Sequence, residues 1–257
     1  MVTTTASTTA LITGASAGLG AEFARQLAAQ GHHVVLVARD RTRLEQTAAD
    51  LEQRYGTTAE VLPADLTDDG GMAAVVGRLT AVDRPVGILV NNAGIGLLRD
   101  FELNSIADEK YLLKLHCEAA LELTHAVLPG MLARGAGRII NVSSISAFLP
   151  RGTYAAAKAW LLSFSRWANL AYAARGVMVT AVCPGLTHTE FHDRMGMDKA
   201  MGPSWAWLTA ERVVREGLAD NLRGNAVSIP SKRYKAVAVA ARVLPYRLLT
   251  GPARRPK

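Results

Sequence analysis

Three side chains near the middle of the 257-residue chain have the types and spacing to act on a carbonyl group: Ser144, Tyr154 and Lys158. Tyr154 and Lys158 stand four apart in Thr-Tyr-Ala-Ala-Ala-Lys-Ala, an alanine-rich run that favours helix. Residues at i and i+4 share a helix face, so the Lys158 ammonium can lie beside the Tyr154 phenol. A phenol with a pKa of ~10 is a poor acid at neutral pH. A neighbouring positive charge pulls that value down, towards what a general acid/base needs. Ser144 follows the apolar run Arg138–Val142, and its hydroxyl could donate to the same carbonyl oxygen that Tyr154 would protonate. Ser143 is the alternative. Alone, a Tyr-x-x-x-Lys pair is more often a half-buried ring and a solvated amine, so the surrounding elements must carry the reading.

The first of those elements is Thr9–Thr13, a short β-rich run leading into Gly14-Ala-Ser-Ala-Gly18-Leu-Gly20 and an amphipathic helix that Gly31 stops. Strand, glycine turn and helix make a dinucleotide site, with the pyrophosphate on the helix N-terminus. His33–Val37 reads as the second strand, followed by Ala38 and Arg39. An acid there would hold the free ribose hydroxyls of NAD, whereas arginine attracts a 2′-phosphate, so the sequence points to NADP(H). The alternative is that Arg39 and Arg41 merely open the solvated helix Thr42–Tyr55. Ala59–Leu62, Gly87–Val90, Arg138–Val142, Val177–Val182 and Gly224–Pro230 read as further strands. Helical patterns run between them over about 108–132 and to about 175, and Thr67 or Asp68 can cap the helix after the third strand. Each polar cluster follows a strand, and the alternation predicts an α/β fold: one doubly wound, Rossmann-type parallel sheet of about seven strands flanked by helices.

Apolar residues make up 49% of the chain and charged residues 20%, so it is globular. No apolar run is long enough to span a membrane and no signal peptide opens the chain, and Cys117 and Cys183 show neither disulfide nor metal spacing. A cytoplasmic protein is expected. The net charge of +7 is local: Ser231–Lys257 holds eight Lys or Arg and no acid, out of 29 basic and 22 acidic residues in all. The first 230 residues are therefore close to neutral, which argues against a nucleic-acid groove.

Thr13-Gly-x-x-x-Gly-x-Gly20, Asn91-Asn-Ala-Gly94 and Ser144…Tyr154-x-x-x-Lys158, followed by Pro184-Gly185, resemble in order the motifs of the short-chain dehydrogenases/reductases. That resemblance covers nearly the whole chain. It implies NAD(P)(H)-dependent hydride transfer between a carbonyl and an alcohol, with Tyr154 as acid/base, Lys158 lowering its pKa and holding the nicotinamide ribose, and Ser144 orienting the carbonyl. It also implies a cofactor lined by Gly14, Ser16, Gly18, Leu19, Gly20, Arg39, Asp65, Asn91, Ala93, Gly94, Tyr154, Lys158, Pro184, Gly185, Thr187 and Thr189, and a homodimer or homotetramer built through the long helices. Two departures stand out. His116 occupies the place of an asparagine that bends its helix and holds a water, and only ten residues separate Ser144 from Tyr154, fewer than usual.

The domain is expected over 1–230, with a substrate-covering segment at 186–208 whose Phe191, Met195, Met197, Met201, Trp205 and Trp207 suit a small hydrophobic ketone, aldehyde or alcohol. The basic amphipathic tail 231–257 could pack over the site, join subunits or lie on an anionic membrane surface. From another functional class, the sequence also allows a weakly catalytic NADP(H)-binding sensor or interaction protein.

Overall fold

Buried, nearly continuous apolar runs build a parallel sheet covered on both faces. The strands are β1 (Thr9–Thr13), β2 (His33–Ala38), β3 (Ala59–Pro63), β4 (Val86–Asn91), β5 (Gly137–Val142) and β6 (Val177–Val182). A short pair, β7 (Thr187–His188) and β8 (Leu208–Thr209), forms a second, two-stranded sheet, and β9 (Val227–Ser228) closes the main one. The main sheet has seven strands in the order β3-β2-β1-β4-β5-β6-β9, all parallel. The computed structural model describes residues 8–97, 99–191 and 204–244. Met195, Met197, Met201 and the tail beyond Leu244 therefore lie outside the described residues.

Alternation along the strands divides the core. Ala10 and Ile12 of β1 face the layer of α1 (Gly18–Ala29), α2 (Arg41–Tyr55) and α7 (Ala210–Leu222). Leu11 faces the opposite layer, formed by α3 (Asp69–Thr80), α5 (Ala119–Arg134) and α6 (Gly152–Tyr172). Caps fix where helices begin: the Asp40 carboxylate accepts from the Arg43 N–H, and that of Asp68 from the Gly71 N–H. Among the described residues, no helix is long and apolar enough to cross a membrane.

The helical pattern over 108–132 is not one regular helix. It divides into α4 (Ile106–Leu113), a π-turn (Lys114–Glu118) and α5. The widened turn is a device found mostly at functional sites. It carries His116 inward, where only 2% of the residue stays exposed.

After α7 the chain returns through β9 to α8 (Lys232–Val243), the last helix among the described residues. Asp220 holds that return. Its carboxylate accepts from Ser228 Oγ (2.6 Å), Asn225 Nδ2 (3.0 Å) and the Arg223 guanidinium. Burial pushes this carboxyl up, but the three donors outweigh it and hold its pKa below the ordinary value. A depressed folded pKa means stability that is present above the unfolded value of about 4 and lost as pH falls through the folded one. Asp220→Ala should cost about 2–4 kcal/mol in urea unfolding at pH 7, by stranding two or more donors. That difference should shrink as pH falls below about 4. A gap independent of pH would show that the carboxylate charge does not matter.

Candidate active site

The order of the strands reverses between β1 and β4, and the carboxyl ends there border a cleft of ≈ 850 Å³. The loop after β1 forms its floor. Gly14 has φ +66°, and a Cβ on Gly20 would lie 2.1 Å from the Gly14 carbonyl oxygen, so glycine alone lets loop and helix meet. Ala17 precedes α1 and supplies no side-chain cap, and the first turn of α1 holds no acid. Its backbone N–H groups are left to face an anion. Thr13 locks the floor to the opposite wall: its hydroxyl accepts from the N–H groups of Asn92 (2.9 Å) and Ala93 (3.0 Å).

At the adenosine end, Ala38 closes β2 and Arg39, Asp40 and Arg43 line the cleft. The Arg39 guanidinium bonds the Tyr111 hydroxyl (3.1 Å) and lies 3.7 Å from the Asp65 carboxylate. Arg43 pairs with Glu190 at 2.9 Å. These residues fit a pyrophosphate on α1 and a further anionic group beside Arg39.

At the other end, Ser144, Tyr154 and Lys158 meet. The short interval between serine and tyrosine is accommodated by a 3-10 turn, Ile145–Phe148, whose Ser146 N–H donates to the Ser144 hydroxyl (3.1 Å), and Ser144 and Tyr154 line the same cleft. The Ser143 hydroxyl donates to the Lys158 carbonyl oxygen (2.8 Å). Burial pushes the Tyr154 pKa up to about 12, against the smaller opposing effect of the Ser144 hydrogen bond. Burial depresses the lysine itself to about 8, and its ammonium donates to the Val142 carbonyl oxygen (2.7 Å), 5.7 Å from the Tyr154 ring centre.

The His116 ring stands edge-on to Tyr154, with centroids 5.5 Å apart. Burial, then the Lys158 charge, holds its pKa well below the usual histidine value, so the ring is neutral. Nε2 lies 2.7 Å from the Ile95 carbonyl oxygen and 3.0 Å from the Ile95 nitrogen, and it can serve only one of them. The shorter contact makes Nε2–H the donor and Nδ1 an acceptor. Nδ1 and Asn91 Oδ1 are both buried with no hydrogen-bond partner among the described residues. Both side chains, with Lys158, line a small chamber of ≈ 10 Å³ behind the site. That is about the room one water needs.

Of the cofactor residues expected from the sequence, Gly14, Ser16, Gly18, Leu19, Arg39, Asp65, Ala93, Gly94, Pro184, Gly185, Thr187 and Thr189 line the cleft together with Tyr154 and Lys158. Gly20 and Asn91 do not. Gly20 is spent on close packing against Gly14, and the Asn91 amide points into the fold, donating to Asn141 Oδ1 (2.8 Å) and Thr124 Oγ1 (3.2 Å). Trp205 is 61% exposed under Arg233, and Trp207 stacks on His188. Phe191 does reach Tyr154, ring centres 6.1 Å apart. The sequence reading overlooked Tyr111 and Glu190, which no local pattern marks, and Asn92, whose amide ties Thr13 and Gly14 across the cleft.

A high-resolution crystal structure should show a single water in the chamber, accepting from Lys158 and donating to His116 Nδ1 and Asn91 Oδ1. A dry chamber would overturn this assignment of the imidazole tautomer.

Residues 8–200 match the family model for short chain dehydrogenases. A ketoacyl reductase of Nostoc sp. is 33% identical over 222 residues, covering 83% of this chain and 76% of that protein. The chain spans only about half the length of some other relatives, 48% in one case. A short-chain dehydrogenase from Sphingobium yanoikuyae, solved in complex with NADPH, superposes with a TM-score of 0.84 at 35% identity, over 97% of this chain and 98% of that one. An alcohol dehydrogenase from Comamonas testosteroni, described as specific for bulky-bulky ketones, gives 0.80 at 31% identity over 98% of each chain. The chain belongs to the short-chain dehydrogenase family, oxidoreductases that interconvert carbonyl and alcohol groups.

Proposed function

We propose that this protein is an NADP(H)-dependent reductase of a hydrophobic ketone or aldehyde, running as a dehydrogenase of the matching alcohol in reverse. The observation that carries it is the meeting of Ser144, Tyr154 and Lys158 at one end of a cleft whose other end holds Ala38 and Arg39. Bound NADPH supplies the hydride. The chain's own residues do the rest: the Ser144 hydroxyl and the Tyr154 phenol face the carbonyl oxygen, and Tyr154 gives it a proton. Lys158, anchored on Val142, sits where it can hold a ribose and return the proton that Tyr154 gives up, its own proton being replaced from solvent. Ile95, Leu115 and Phe191 make the surroundings of that end apolar, which favours a hydrophobic substrate. The NADPH complex and the bulky-ketone dehydrogenase among its relatives support the same choice.

The test is oxidation of NADPH against NADH over a panel of long and short ketones and aldehydes, with Tyr154→Phe alongside. Turnover should prefer NADPH, and the variant should lose about 10²–10⁴-fold in kcat while keeping NADPH affinity. Reduction needs a protonated Tyr154 and a charged Lys158, so its rate should be flat below pH about 8 and fall above it. Tight NADPH binding without turnover on any member would favour the binding-only protein, and preference for NADH would overturn the reading of Arg39.

We also propose a homodimer through the outer face of α6. Trp160, Phe164 and Trp167 form a row with ring centres 5.2 and 5.8 Å apart, and Trp167 and Leu170 are 55% and 84% exposed. Trp167→Arg should convert the protein to a monomer by light scattering. An unchanged mass would remove α6 from the interface.

A further inference from the structure

Helix α8 packs against the 3-10 turn that follows Ser144, and it presents Arg233 and Tyr234 to the stretch after β6. The Tyr234 hydroxyl accepts from the Leu186 N–H (3.0 Å) and donates to the Ala206 carbonyl oxygen (2.9 Å). One phenol can do both at once. Its ring lies flat on Gly185, where a Cβ would come within 1.9 Å of Cζ. Arg233 adds a hydrogen bond to the Trp205 carbonyl oxygen (2.7 Å). Two residues far apart in sequence, at either end of one stretch, are thus tied to a single helix.

The contact also reaches the site. The Pro184 carbonyl oxygen accepts from the Ile145 N–H (2.8 Å), and Ile145 follows Ser144 directly. Pro184, Gly185 and Thr187 line the cleft, and Phe191 a few residues on faces the Tyr154 ring. A phenylalanine would fill the same space against Gly185, so packing alone does not call for the hydroxyl.

We propose that Tyr234 is a positioning residue for the substrate end of the cleft. Its ring and hydroxyl set the Pro184–Leu186 turn and, through the Pro184 carbonyl, the alignment of Ser144 with Tyr154. The kinetic consequence rests on the reductase reading; the structural one does not.

The experiment is Tyr234→Phe, which keeps the ring and removes both hydrogen bonds. For the carbonyl substrate kcat/KM should fall about tenfold at saturating NADPH, while Tm moves little. Wild-type kcat/KM at saturating NADPH would overturn the proposal. Hydrogen–deuterium exchange gives a readout without turnover: amides of 145–149 and 184–188 should exchange faster in the variant. A change confined to 232–243 would overturn it. If the wild-type protein turns over no substrate, the reductase reading fails and the exchange result alone decides the role of Tyr234. If Tyr234→Phe does not fold, replacing Tyr234 with 4-fluorophenylalanine fills the space of the hydroxyl without donating to Ala206 or accepting strongly from Leu186, and both readouts apply unchanged.

Discussion

A buried ammonium governs much of this architecture. Lys158 is 4% exposed, and a charge so far from water must be held by oriented dipoles or be given up. Part of that holding comes from the end of β5, where the Val142 carbonyl oxygen accepts from it. The Ser143 hydroxyl in turn binds the Lys158 carbonyl, so strand and helix are stitched together in both directions at the same residue. The orientation of α6, and with it the position of Tyr154, follows from satisfying one lysine. Burial still draws its pKa down to about 8, which leaves the group more easily neutralised than an exposed lysine.

The strands were legible because a two-sided parallel sheet writes itself as apolar runs ended by polar clusters. Val177–Val182 and Thr9–Thr13 lie where those runs place them, and Tyr154 and Lys158 share a face as their spacing requires. The π-turn was not legible. One extra residue in a helical turn changes no hydrophobic period enough to notice over a few residues, although it decides which way His116 points. Asn91 and Gly20 lie behind the cleft lining for a related reason: a motif residue can serve the shape of a loop. The desolvation of Tyr154 also lay beyond spacing, because it is a property of everything packed around the ring.

The sheet interior is less apolar than its sequence suggests. Asn91, Asn141, Ser165 and Thr124 form a buried hydrogen-bonded row linking β4, β5, α5 and α6 beneath the candidate site. Such rows are costly when any member is left unpaired, so they tolerate few alternative arrangements and rigidify what they cross. The flexible long side chains of the site are thereby mounted on a stiff base, and the chemistry is aligned by elements that never meet the ligand.

Gly94 shows how one departure reshapes its surroundings. A Cβ at that position would sit 2.4 Å from Cε1 of His116, so the loop after β4 and the imidazole occupy adjoining space with nothing to spare. The two positions are therefore not free to vary separately. A chain reaching this arrangement through single substitutions could enlarge residue 116 only while residue 94 was glycine, and could not afterwards abandon that glycine without shrinking the ring. History at one site has become a constraint at the other, which makes the pair a better unit of comparison between relatives than either residue alone.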